Sequence, residues 1–446
     1  MSVSPGAYLD LYRSQFAVLE RRLNGRAGSP LHARRRAALD LFLASGFPTT
    51  AMEEWRFTDV MPLAGKTYAM PGDHVAGSVP CAEADPWVFG GEDAPRLVFV
   101  DGRFAPDLSS RGGLPPSVRV ANLAEGLAEG EAETWLAGGA GAGGDPFAAL
   151  NTAFLDEGAL VVVPPGMELE EPVSVVFLAT GGSTPLVAHP RLLLVAGRGS
   201  RVSLAETYAT LGTGLHFTNA VSEVILEEDA SLEHDTLQNE APGVLHVGSV
   251  HVLQRGGSSY TATGVTLGGG IVRNNVTAVL DGEGCACTLN GLSLATGTRL
   301  VDNHTSIVHA RPRCNSHQLS KAILDGRARG VFHGKIRVLR DAQKTDAKQT
   351  NRTLLLSDGA VMDTKPQLEI FADDVKCTHG ATVGQLDEAQ VFYCRSRGLG
   401  EEEARDVLTF AFASDVVRRL HLASLRERLD RMIHQRLHSG RLSDEA

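Results

Sequence analysis

Five short segments follow one pattern: LLLVAGRGS from Leu192, VILEEDAS from Val224, AVLDGEGC from Ala278, AILDGRAR from Ala322 and LLLSDGAV from Leu354. Each is a run of three aliphatic residues followed by a polar or glycine-rich corner. Their starts lie 32, 54, 44 and 32 residues apart, close to three, five, four and three multiples of a unit of roughly 11 residues. A strand of about five residues plus a turn fills such a unit. Short strands repeating from about Ala153 to His379, without intervening helices, restrict the chain to a sandwich, a barrel or a β-helix. The near-common unit favours the β-helix. The composition agrees, because 48 glycines beside only 6% aromatic residues suit a turn-rich β architecture.

Helical patterns flank this region. Tyr8, Leu11, Phe16, Leu19 and Leu23 recur at helical spacing, and Leu31 to Ala44 resumes the pattern after a Gly-Ser-Pro break. EEWRFTDV, from Glu53 to Val60, has no obvious period, whereas RLVFVDGRF, from Arg96, reads as a strand entering an Asp-Gly turn. The glycine-rich stretch from Gly138 to Gly144 reads as a linker. The expected division is therefore a helical and mixed region at 1–150, a mainly β core at 151–384 and a C-terminal helical module at 385–446. In that module Gly398 fits a helix C-terminal position. Three glutamates open the helix from Glu401, and Leu425, Leu429 and Ile433 form one stripe from Ala423 to His438.

Several function classes are disfavoured. A formal net charge of -11 argues against nucleic acid as the main partner. No run approaches the roughly 18 apolar residues of a membrane span, and MSVSPGAYLD lacks the features of a secretory signal, so a cytoplasmic protein is expected. Six cysteines in 446 residues are too sparse for a disulfide scaffold. GAGAGG from Gly139 neither follows a strand nor opens a helix, and Gly65-Lys66-Thr67 has Val60 where a P-loop needs glycine. A β-helix enzyme acting on carbohydrate would need paired carboxylates along a groove, and no compelling pair stands out.

Potential metal ligands concentrate late in the chain. His304, His309, Cys314 and His317 lie close together, but His304 and His309 differ by an odd number and so face opposite sides of a strand; they read as ladder residues. Cys285 and Cys287 share a face and read as small buried apolar residues. In FADDVKCTHGATVGQLD, Cys377 and His379 project to one side of a strand, so thiolate and imidazole could approach one soft cation. Two ligands are too few for a closed site, which needs about four. Either the fold or a partner supplies the rest, or there is no site.

NHTSIVHARPRCNSHQLSKAILDGRARGVFHGKIRV, DAQKTDAKQTNRTLLLSDGA, TKPQLEIFADDVKCTHGATVGQLD and QVFYCRSRGLGEEEA together resemble the SufB/SufD family, the scaffold subunits of the SUF iron–sulfur cluster assembly system. The resemblance is dense from about Val301 to Ala413, patchier through NTAFLDEGA and HPRLLLVAGRGS, and thin before EEWRFT and VFVDGRF. It implies a right-handed parallel β-helix flanked by helices, and a non-enzymatic scaffold rather than an enzyme. It further implies that His379, with Cys377 beside it, meets a transient cluster or iron shared with a SufB-like paralogue, as in SufD-like members. The C-terminal helices would dock a SufC-like ABC ATPase, which explains why no P-loop is needed here. The resemblance also allows a reduced flavin in the complex and a homodimer of the isolated chain. Cys394 in FYCRSRG is closer to the SufB version of that helix and reads as a helix residue or a second interface thiol.

Overall fold

The computed structural model describes residues 6–23, 29–70, 79–136 and 144–438. Most of the expected glycine linker at 138–144 falls outside them. Mainly β, the chain forms a parallel solenoid whose rungs alternate between two stacked ten-stranded sheets. One sheet runs from the Arg96–Val100 strand to the terminal strand Lys376–Gly384; the other ends at Val361–Ile370. Strands therefore enter the solenoid upstream of residue 151. Arg96–Val100 pairs in parallel with Val173–Ala179, and its Asp-Gly turn leads to the antiparallel partner Arg103–Phe104.

The repeat is longer than the aliphatic runs suggest. Leu245 pairs with Ile271 and Ala159 with Leu192, so a full turn takes 26 to 33 residues, with a strand in each sheet. The intervals of 32 and 54 residues are one and two turns within one sheet, 44 crosses to the other sheet, and the final 32 is one turn there. Only half of each strand is aliphatic. The other half lines the solenoid interior with polar side chains, including Glu206, Tyr208, His234, His246 and Gln318, and so carries no hydrophobic signal.

One corner recurs on every turn. Gly199, Asp229, Gly257, Gly284, Arg313 and Lys344 all adopt positive φ. The backbone N–H of each donates to a carbonyl one rung on, from Gly199 to Glu228 at 2.8 Å through Lys344 to Asp374 at 2.7 Å. Glycine reaches this conformation without steric cost, and the three non-glycine residues are held in it by the stack.

The flanking modules cover the outer faces. N-terminal helices Ala7–Arg22 and Pro30–Ser45 pack, with Phe42, Phe47, Phe147 and Phe154, against Val187, Phe217 and Leu245 of one sheet. Helices Glu388–Ser396, Glu401–Val417 and Ala423–His438 follow the last strand, the first capped by Asp387, which accepts from the Ala389 amide. Leu425, Leu429 and Ile433 form the expected stripe and bury against Leu237, Val265, Leu292 and Ile323 of the other sheet. No helix among the described residues is long and apolar enough to cross a membrane.

Asp235 fastens this module by accepting the Leu422 amide at 2.9 Å. Burial pushes its carboxyl up to about 6, against the opposing pull of the Leu422 amide and of His234 and His421. An unfolded aspartate titrates near 3.9, so the folded chain binds this proton more tightly than the unfolded chain does. Stability from this group therefore falls as pH rises from about 4 to about 6, then levels off. Asp235→Asn keeps an acceptor for Leu422 and should flatten that slope, gaining about 1–3 kcal/mol above the window. Urea unfolding across pH checks this; an unchanged profile rules it out.

Candidate functional site

His379 and Cys377 lie on the terminal strand of their sheet, whose only hydrogen-bonded strand neighbour among the described residues is Asp346–Leu355. Successive register partners place His379 at the end of an inward column: His234, Ala262, Leu289, Gln318, Gln349, His379. Within the column Gln349 Nε2 donates to Gln318 Oε1 at 2.9 Å, and Gln318 Nε2 donates to Thr305 Oγ1 at 2.8 Å across the interior. Every position before His379 has a further rung beneath it. His379 has none: it is exposed, and its imidazole has no hydrogen-bond partner among the described residues.

Cys377, opposite the buried Ala347, is half-buried and packs against the last apolar side chains of the interior. Burial pushes its thiol up, and the Asp346 carboxylate adds to the effect. The strand thus presents an exposed imidazole beside a thiol that resists ionisation.

The two terminal edges differ. Val361–Ile370 carries Pro366, which lacks an N–H, and the paired charges Lys365 with Glu53 and Lys335 with Glu369. These features blunt a sheet edge. Lys376–Gly384 carries Gly380, Ala381, exposed Val383 and Gly384 after its first residues and has no such protection. Beyond it, Phe392 and Tyr393 stand exposed on the Glu388–Ser396 helix, while Cys394 is half-buried.

The remaining cysteines and histidines sort by face. Cys285, Cys287 and Cys314 are buried, with Cys285 and Cys314 both donating to the Gly282 carbonyl at 3.2 Å. His309 points inward, bonded to Ser316 Oγ at 2.8 Å, and burial pushes it down to about 4; His317 is exposed. His304 points outward, as the odd spacing requires. There it meets two residues that strand parity could not supply: His333, one turn later, and Glu54 of EEWRFTDV. The legible signal was the 29-residue interval between the two histidines, which is one solenoid turn.

Sequence comparison places this geometry among relatives. The family model described as "SUF system FeS cluster assembly, SufBD core domain" matches residues 177–412, and that of the "SufBD protein N-terminal region" matches residues 3–175. The chain is 35% identical over 418 residues to an iron–sulfur cluster assembly SufBD family protein of Synechocystis, covering 91% of each chain. It is 32% identical over 406 residues to the iron–sulfur cluster assembly protein SufD of Escherichia coli, covering 90% of this chain and 92% of that one. Protein ABCI7, chloroplastic, of Arabidopsis thaliana is 33% identical over 291 residues, 64% of this chain and 61% of its own.

Proposed function

The chain belongs to the SufBD family of the SUF iron–sulfur cluster assembly system, and on that premise we propose that it is a SufD-like, non-enzymatic scaffold whose His379 completes a cluster-building site shared with a SufB-like subunit. One observation carries this reading: the imidazole ends an inward column on an uncapped rung, exposed and without a partner. The cluster is cargo. Iron and sulfide arrive as substrates, and a cargo that must leave is better held by few, shared ligands than by a closed four-cysteine cage.

The unprotected edge supports the partner. A SufB-like solenoid ending in a comparable strand could add to Lys376–Gly384 through backbone hydrogen bonds, bringing its own thiolates opposite His379. The same edge would accept a second copy of this chain when the partner is absent. Phe392, Tyr393 and Val407 are exposed on the helices that follow, an apolar surface suited to a SufC-like ATPase. Movement of that ATPase would then open or close the shared site.

Val383→Arg tests the partner edge. The variant should unfold at the wild-type urea midpoint yet lose the SufB-like subunit on co-expression and affinity purification, while Phe392→Ala/Tyr393→Ala should selectively lose the ATPase. Retention of both partners by both variants would place the interfaces elsewhere.

A further inference from the structure

We propose that Glu54, His304 and His333 form a binding site for a divalent first-row transition-metal ion, with a coordination position left open to the groove between the N-terminal segment and the solenoid. His304 and His333 are direct register partners on the strands Leu300–His309 and Arg329–Val338. Their rings lie 4.8 Å apart at 76°. Glu54 reaches them from the short turn Glu53–Trp55, with Oε2 3.3 Å from His333 Nδ1 and 3.5 Å from His304 Nδ1. Metal–ligand bonds of about 2.0–2.2 Å at tetrahedral angles separate neighbouring ligand atoms by about 3.3–3.5 Å. Both Glu54 distances already stand at that spacing, and one ligand atom from each of the three residues lies within 4.8 Å of the others.

The far side of each ring supports the same orientation. His304 Nε2 lies 2.9 Å from Asp302 Oδ1, and His333 Nε2 lies 3.4 Å from Gln367 Oε1. A proton on Nε2 of each ring would leave the Nδ1 lone pair facing Glu54, with the Asp302 carboxylate beside His304 Nε2 as its counter-charge. Asp302 is itself 1% exposed. Its Oδ2 accepts from Thr58 Oγ1 and from Arg273 at 2.8 Å, and its Oδ1, 2.9 Å from His304 Nε2, makes no hydrogen bond among the described residues. The buried carboxylate thus has one oxygen occupied by Arg273 and Thr58 and the other turned toward the His304 ring.

Two imidazoles and one carboxylate suit Fe2+, Co2+ or Zn2+ better than Mg2+ or Ca2+. The segment bearing Glu54 is pinned in place, since Arg273 donates to the Glu54 carbonyl at 2.7 Å and stacks 3.9 Å over the Trp55 ring.

This inference does not rest on the role of His379, which lies in the other sheet. The test is anaerobic titration of the full-length chain with Co2+, read by the visible ligand-field bands of four-coordinate cobalt, followed by displacement with Fe2+ and Zn2+. Wild type should give a saturable signal that both metals displace. His304→Ala/His333→Ala and Glu54→Gln should abolish that signal, and Asp302→Asn should weaken binding about 10–100-fold. Because Glu54 is largely exposed, its variant should fold normally, which a wild-type urea midpoint would verify. His379→Ala and Cys377→Ser should leave the signal intact. The proposal fails if folded Glu54→Gln and wild type give the same cobalt spectrum and affinity, as an imidazolium simply paired with two carboxylates would. It fails equally if the signal vanishes with His379→Ala instead.

Discussion

A His379→Ala chain is expected to co-purify with the proposed SufB-like and ATPase partners at wild-type yield and to assemble iron–sulfur cluster at least about 10–100-fold less well, as the loss of the proposed direct ligand requires. The side chain is exposed and unbonded, so its removal disturbs no packing. Stability and complex formation should therefore stay unchanged while cluster chemistry fails. Anaerobic reconstitution with iron and sulfide, followed by the visible absorption of the cluster, measures the effect. Cys377→Ser should be milder, because burial and Asp346 already disfavour its thiolate. Undiminished assembly in His379→Ala would remove the shared-site reading. The cobalt signal of the Glu54–His304–His333 group would be unaffected by that result, so the two ideas can fail separately.

The largest stability effect should come from the buried Glu206. Its carboxylate is 2% exposed, accepts from Tyr208 Oη at 2.6 Å and Ser222 Oγ at 2.7 Å, and pairs with His234 Nε2 at 2.8 Å. Burial pushes this carboxyl up, but the His234 pairing and the two hydroxyls outweigh it and hold it below the usual range. Glu206→Ala strands an imidazole and two hydroxyls in the solenoid interior and should cost about 3–5 kcal/mol. Replacing both partners, as Glu206→Leu/His234→Leu, should recover much of that loss, because the penalty comes mainly from the uncompensated polar groups. Because the folded carboxyl titrates below its unfolded value of about 4.3, its contribution is present above that pH and is lost on acidification through the folded value. Equilibrium urea unfolding of the two singles and the double checks the cycle. Losses below about 1 kcal/mol in both singles would mean that water already serves these groups.

Helices at both ends were legible in the sequence because each carries its own period: Leu425, Leu429 and Ile433 define a stripe wherever the helix later docks. The β-helix was legible because its corners repeat, but its repeat length was not. Glu206, His234, Gln318 and Gln349 occupy inward positions that a hydrophobic pattern reads as loop, so 8- to 11-residue strands looked like five-residue ones. The shared face of Cys377 and His379 followed from strand parity alone, since alternation is local geometry.

What the chain order alone determined, then, was everything set within a few residues: helical stripes, corner chemistry, and which side chains of one strand look the same way. Only the tertiary structure decided that His379 ends its column on an uncapped rung, and that Glu54 comes to lie over His304 and His333. Both depend on which distant segments become neighbours. That is fixed by how successive turns stack and by where the N-terminal segment packs; the 29-residue histidine interval records the first only once the turn length is known, and nothing local records the second.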